Sequence, residues 1–290
     1  HSPPSTLHSP LSTLHPPLKM TYFGFLLRFL GIPIVLLGIV AYIDHRRGRD
    51  VPSYFRAWPL WAAIVLHVVV AVVYTTPWDN YLVATGVWYY NPALVTGLVL
   101  GWVPIEEYTF FVVETILAGL WIGFLMRRMR FDHPRPLQPR WRIVPVAILG
   151  IIWLGSVALL ISGWPPGTYL SLLLAWALPP IMLQLGFGGD ILRRYGRLVL
   201  AAIVSLTLYL SVADFFAIGS GTWEINPAQS LHWLIGGVLP VEEVIFFLIT
   251  SVLVTFGIVL VVAQDSHERF AQIREMIAAR RDKSPKSENP

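Results

Sequence analysis

Seven separate apolar runs, each near the length of a bilayer crossing, constrain this chain more than anything else in it. They fall at about 21–43, 56–75, 103–126, 143–162, 167–187, 197–213 and 238–263. An α-helix rises 1.5 Å per residue, so about 20 apolar residues cross a ~30 Å hydrocarbon layer. A backbone in lipid must satisfy its own polar groups, and runs of this length do so as helices. Charged residues are only 13% of the 290, against about 25% in soluble domains. The expected fold is all-α: a polytopic membrane protein with seven transmembrane helices.

The basic residues set the direction of those helices. Arg46, Arg47, Arg49 and Arg56 follow the first, and Arg127, Arg128, Arg130, Arg135, Arg140 and Arg142 follow the third. Arg193, Arg194 and Arg197 follow the fifth, and Arg269, Arg274, Arg280, Arg281, Lys283 and Lys286 follow the seventh. The alternate connections, 76–101, 163–168 and 212–237, hold no Lys or Arg. Cytoplasmic loops carry the Lys/Arg excess. The chain is therefore expected in the cell membrane as a multi-pass protein, N-terminus outside and C-terminus cytoplasmic. Membrane flanks account for the net charge of +4, so the bilayer, and no nucleic acid, is the expected partner. With no Cys there is no disulfide, thiolate nucleophile or Cys-based metal site. No Gly-rich phosphate loop or dinucleotide fingerprint occurs, so no cofactor and no metal are expected. Seven spans invite comparison with retinal proteins. The seventh has no lysine for a Schiff base, however, and Lys19, Lys283 and Lys286 all lie outside the spans.

One phrase occurs twice inside the apolar runs. Pro104-Ile105-Glu106-Glu107-Tyr108-Thr109-Phe110-Phe111 returns as Pro240-Val241-Glu242-Glu243-Val244-Ile245-Phe246-Phe247. Upstream, Asp79, Gly86, Trp88, Asn91 and Pro92 return as Asp214, Gly221, Trp223, Asn226 and Pro227, each pair 135 apart (214 − 79), while the glutamates are 136 apart (242 − 106). Identities at fixed spacing mark a duplication with one residue inserted. Two parallel three-helix repeats, 20–126 and 167–263, are expected, joined by a connecting helix within 127–166 that returns the chain to its starting side. Residues 1–19 read as a disordered leader with Met20 as the native start, and 264–290 as a basic cytoplasmic tail.

Asn91-Pro92 and Asn226-Pro227 resemble helix starts, with Asn capping and Pro at the first helical position. A helix from 92 to 126 would be about 52 Å long, too long for the bilayer, and Pro104 cannot donate within it. A short helix over about 93–102, bent at Pro104, is therefore expected, with the same arrangement at Pro240. Such a break is tolerated where it faces protein or a cavity.

Glu106, Glu107, Glu242 and Glu243 admit two readings. Carboxylates in a first turn satisfy free N–H groups and the helix dipole. Charge within a membrane segment is costly, though, and marks functional sites; its duplication beside paired aromatics favours catalysis. Neighbours on a helix point about 100° apart, so the members of one pair cannot face one substrate atom. Residues four apart share a face, which sets Glu106 over Phe110 and Glu107 over Phe111. Burial among aromatic faces favours a carboxyl's neutral form, the condition for a general acid. Trp88, Trp223, Phe110, Phe111, Phe246 and Phe247 are ordinary packing residues taken alone; beside carboxylic acids their π faces also suit a transient cation. Asp79 and Asp214 read as turn residues in outward loops, their repetition leaving a site role open. Glu114, whose counterpart is Thr250, reads as a polar contact, and His67 as a hydrogen-bonding residue facing a neighbouring helix.

The run Tyr74-Thr75-Thr76-Pro77-Trp78-Asp79-Asn80-Tyr81 with Gly86-Val87-Trp88, then Pro104-Ile105-Glu106-Glu107, closely resembles the membrane-integral lycopene cyclase domain family. The resemblance covers about residues 22–263 and both copies, and the chain looks like that family's fused form without a phytoene synthase. It implies a lycopene beta-cyclase: redox-neutral, cofactor-free closure of the linear ends of lycopene to β-ionone rings, giving γ-carotene and β-carotene in carotenoid biosynthesis. On that reading Glu106 and Glu242 are the acids, and Glu107 and Glu243 are ionised stabilisers or bases. The six aromatics with Asp79 and Asp214 hold the substrate, lycopene or a related linear carotenoid, and other carotenoid enzymes are candidate partners. Two further readings fit the same residues: a carotenoid hydratase, in which water traps the same cation, and a non-catalytic carotenoid-binding membrane subunit.

Overall fold

The structure, a computed structural model, describes residues 19–131 and 136–282. The leader expected over 1–18 lies outside the described residues, as do Arg135, Lys283 and Lys286. Among the described residues, seven helices are long and apolar enough to cross a membrane, and the protein is a multi-pass membrane protein. They are α1 (Tyr22–Arg46, π-helical over Leu26–Gly31), α2 (Leu60–Ala84), α3 (Ile105–Arg128) and α4 (Arg140–Ser162). Then come α5 (Thr168–Arg194), α6 (Gly196–Gly219) and α7 (Val241–Val262). A further helix, α8 (Gln264–Asp282), occupies the stretch read as a tail.

Helices α3, α6 and α7 form the interior, while α4 turns nearly all its surface outward and packs on α5. Its outward side chains are apolar, Ile151 and Leu154 among them. In water that would be one large exposed patch; in lipid it is solvated. Gly119 and Gly123, four apart on α3, let α2 approach closely, because a Cβ at either would collide with Ile64 or Leu60. Small residues at this spacing are a common device for helix contact in membranes. On the basic side, Asp44 of α1 pairs with Arg128 of α3 at 2.8 Å, and Asp190 of α5 takes both guanidinium nitrogens of Arg269 of α8 at 2.7 Å.

Three helices outrun the hydropathy runs. Helix α2 continues through Pro77 to Ala84, α5 to Arg194 and α6 to Gly219. Their last turns carry polar residues that dilute an apolar average yet are buried in protein. Asp79 and Asp214 are such residues: both are fully buried inside α2 and α6, not in outward loops.

The short helix expected over 93–102 does not form. Asn91 and Asn226 do accept from the backbone N–H of Ala93 and Ala228, each at 3.0 Å, but at most a single 3₁₀ turn follows, at Pro227–Gln229. In the first half Gly97 and Gly101 adopt φ of +79° and +69°, a left-handed conformation that ends a helix and suits glycine. Two tiny hairpins result, β2 (Val99–Leu100) with β3 (Val103–Pro104), and β5 (Leu234–Ile235) with β6 (Leu239–Pro240). The side chain of Asn80 fixes the first, accepting from Trp102 N at 2.8 Å. Pro104 and Pro240 then stand as N-caps of α3 and α7, where a missing N–H costs nothing.

Strand β1 (Trp88–Tyr90) pairs antiparallel with β4 (Trp223–Ile225), with Tyr89 opposite Glu224. The flanking bonds are reciprocal. Asn91 N donates to Thr222 O at 3.1 Å and Asn226 N to Val87 O at 2.9 Å; Asn91 Nδ2 donates to Gly221 O and Asn226 Nδ2 to Gly86 O. A shift of 135 positions (226 − 91) turns each contact into its partner, a local twofold relation. The ribbon thereby holds the first turns of α3 and α7, one glutamate pair from each, beside each other.

Candidate active site

The four glutamates open α3 and α7 because each follows a capping proline, and all are buried, at 0% (Glu106), 5% (Glu107), 0% (Glu242) and 4% (Glu243) exposure. All four are enclosed by protein. Adjacent positions on a helix diverge, and the members of each pair have different surroundings. Glu106 Oε1 accepts from the backbone N–H of Thr96 at 2.6 Å, and Glu242 Oε1 from Leu231 N at 2.6 Å. These two clamp the loops over the helix starts. Each has its second carboxyl oxygen buried without a hydrogen-bond partner among the described residues.

Glu107 and Glu243 instead face one chamber of about 30 Å³ at the first turns of α3 and α7. Its walls include Trp88 and Trp223 from the ribbon and Phe110, Phe246 and Phe247 from the helices. Four of these rings are in mutual contact: Phe246 lies 5.1 Å from Phe247 and 6.0 Å from Trp88, and Phe110 lies 6.4 Å from Phe247. Asp214 joins the lining, its Oδ1 accepting from the Trp223 indole N–H at 3.0 Å, and it lies within interaction range of Glu243. Of the residues singled out in the sequence, Glu106, Glu242, Phe111 and Asp79 do not line this chamber. Phe111 lines a second cavity below it. Asp79 sits behind the wall, with neither carboxyl oxygen hydrogen-bonded among the described residues.

Three tyrosines complete the site. Tyr22 Oη and Tyr90 Oη both donate to Glu107 Oε2, the second at 3.0 Å. Tyr169 Oη donates to Glu243 Oε1 at 2.6 Å. Enclosure in the protein, and then the nearby Asp79 and Glu107 carboxyls, push the Tyr90 phenol well above its usual range, so it stays a neutral donor. Repetition in the sequence points to none of the three. Tyr22 and Tyr169 both sit just inside the first helix of a half, but 147 apart (169 − 22), outside the register of the other identities. Tyr90 has Ile225 as its counterpart across the ribbon halves (225 − 90 = 135), so repetition passes over it.

The second cavity, of about 180 Å³, lies among α2, α3, α5 and α7. Glu114 and Thr250 line it together. His67 also lines it; its Nδ1 lies 2.7 Å from Ala63 O of its own helix.

The family described as lycopene cyclase matches residues 19–125 and 166–261. A lycopene beta-cyclase of Halobacterium salinarum is 36% identical over 238 residues, spanning 79% of this chain and 90% of that protein. A bifunctional lycopene cyclase/phytoene synthase of Podospora anserina is 36% identical over 200 residues, 66% of this chain and 33% of that protein. One of Phaffia rhodozyma is 31% identical over 211 residues, 67% of this chain and 31% of that protein. No solved structure matches.

Proposed function

The chain belongs to the lycopene cyclase family, and on that premise we propose that it closes the linear ends of lycopene to β-ionone rings, with Glu243 as acid and Glu107 as base. One observation carries the assignment: a single aromatic chamber receives one carboxyl from each half, and the two carboxyls are solvated differently. Two phenol O–H groups converge on one oxygen of Glu107, an arrangement that solvates a carboxylate. Glu243 has one phenol donor and a second carboxyl, Asp214, beside it. Two adjacent carboxyls favour keeping a proton between them.

Glu243 then delivers that proton to the terminal alkene, leaving a tertiary cation. The internal double bond attacks the cation, closing a six-membered ring and moving the charge inward. The faces of Trp88, Trp223 and Phe247 stabilise it, as does the Glu107 carboxylate. Glu107 removes a ring proton, which fixes the β double bond; before the next turnover Glu107 gives that proton up to water and the Glu243–Asp214 pair takes a new one from water. No electrons are exchanged. Aromatic walls exclude the water that would trap the cation. Halves 20–126 and 167–263 each supply one glutamate, and one chamber serves one substrate end at a time. The basic side, with Arg128 and Arg269, is cytoplasmic, which places the chamber toward the outer leaflet and the N-terminus outside.

The test is product analysis of lycopene-containing vesicles assayed in D2O. The expected product has the composition of lycopene, a β-ionone ring, and deuterium at the protonated ring carbon. A product heavier by one water would make the protein a hydratase, and bound but unchanged lycopene would leave only a carotenoid-binding role.

A further inference from the structure

The cavity beneath the chamber has no part in the ring chemistry, yet it adjoins it: Phe246 lines both spaces, while Phe110 faces the upper and Phe111 the lower. We propose that this cavity binds the conjugated stem of the substrate, and that its open side between α2 and α5 is the port through which the substrate enters from the bilayer. The proposal rests on the cyclase reading above and deepens it.

Size is the first argument. At about 30 Å³ the chamber has no room for the length of a polyene, while the cavity beneath it is several times larger, at about 180 Å³. The lower cavity's walls are matched stretches of three helices, 67–75 of α2, 176–184 of α5 and 246–254 of α7, each about 12 Å long at 1.5 Å per residue.

Pro179 and Pro180 lie inside α5 and cannot donate to the carbonyls four residues back. Those two carbonyls are taken by side chains: Trp153 Nε1 donates to Ala175 O at 3.1 Å, and Tyr74 Oη to Trp176 O at 2.8 Å. Proline in a membrane helix is tolerated where other groups satisfy the freed carbonyls, and Pro180 lines this cavity. Of the polar groups along the walls, Thr115 donates to Phe111 O at 2.8 Å and Gln184 Nε2 to Leu253 O at 3.0 Å, while Gln184 Oε1 and Trp176 Nε1 have no hydrogen-bond partner among the described residues. Val70, Ala71, Leu253 and Val254 make much of the remaining wall apolar, which suits hydrocarbon.

Position is the second argument. Val70 and Tyr74, on the α2 edge of the cavity, are 51% and 41% exposed on the lipid-facing surface, so the opening meets acyl chains rather than water. From there a stack of nearly parallel rings leads inward. Trp176 lies 4.4 Å from Trp78 at an interplanar angle of 16°, and Trp78 lies 6.2 Å from Phe246 at 6°. The Trp78 indole is held by its bond to Leu172 O. Trp176 and Phe246, at the two ends of this stack, both line the cavity, so aromatic groups border the path of a conjugated chain toward the chamber. The far end of such a chain stays in the bilayer, so the two ends react in separate visits and a singly cyclised product is released between them.

The absence of cysteine from the sequence makes the test direct. Full-length A71C, with its thiol on the cavity wall, is reconstituted in phospholipid vesicles and labelled with benzyl methanethiosulfonate, with and without lycopene. I151C, on the lipid-facing side of α4, is treated in parallel. Lycopene is expected to slow A71C labelling at least tenfold and leave I151C unaffected. The benzyl adduct on A71C should lower cyclisation at least tenfold relative to the same protein before labelling, and dithiothreitol should restore it. Labelling rates within twofold with and without lycopene, or an adduct that leaves cyclisation unchanged, would overturn the proposal. Protection of A71C in a protein that forms no ring would uphold the binding site and reject the cyclase reading instead.

Discussion

Replacing Tyr22 with Phe removes one of the two O–H donors on Glu107 Oε2 and little else. The ring keeps its place 4.8 Å from Trp223 and 6.2 Å from Phe25, so packing is preserved. A hydrogen bond to a charged group contributes about 1.5–3 kcal/mol, and each 1.36 kcal/mol is tenfold in rate. If Glu107 works as the carboxylate, Tyr22→Phe slows ring closure about 10- to 150-fold, and Tyr90→Phe falls in the same range. Two donors on one oxygen partly compensate for each other, so the double variant loses more than the product of the singles. The assay is the initial rate of ring formation in lycopene-containing vesicles, pigments separated by chromatography, at equal amounts of folded protein. Rates within twofold of the unmodified protein for both single variants would refute the reasoning, because Glu107 would then not depend on the phenols that face it.

Two other expectations follow from the packing and the electrostatics. Gly119→Leu forces α2 away from α3 at Ile64 and should cost about 1–3 kcal/mol, read as a lowered unfolding midpoint in detergent. Tyr90 and Tyr195 both hold raised phenol pKa values, Tyr195 through burial and its bond to Asp265. The unfolded chain ionises such phenols near pH 10 while the fold keeps them neutral. Their stabilising contribution is therefore complete below about pH 10 and declines as pH rises beyond it. Unfolding midpoints should drop between about pH 9 and 11, less steeply in Tyr90→Phe.

The sequence makes the membrane spans legible because apolar length is a physical constraint on the whole chain, and all seven spans recur in the structure. It misplaces what depends on side chains reaching across the fold. Asp79 and Asp214 look like loop residues because hydropathy averages end where polar groups begin, yet α2 and α6 run on with both aspartates buried. The stretch after Asn91 looks helical, but left-handed Gly97 and Gly101 and the Asn80 side chain make it a hairpin. Within each glutamate pair, helix geometry says that the two diverge without saying which turns inward. That is decided by loops folding back to donate a backbone N–H, from Thr96 to Glu106 and from Leu231 to Glu242. The tyrosines come from the first helix of each half and from the ribbon, contacts that no local pattern reports.

The central claim is that the second glutamate of each pair performs the chemistry and the first holds the loop, and four Glu→Gln variants test it most directly. Glu107→Gln and Glu243→Gln should each lower ring closure by about 10²- to 10⁴-fold, the range of a lost acid or base, with lycopene still bound. Glu106→Gln and Glu242→Gln should retain ring closure within about tenfold, on the order of one lost loop hydrogen bond. Folded Glu106→Gln and Glu242→Gln proteins that form no rings, beside active Glu107→Gln and Glu243→Gln, would contradict the account.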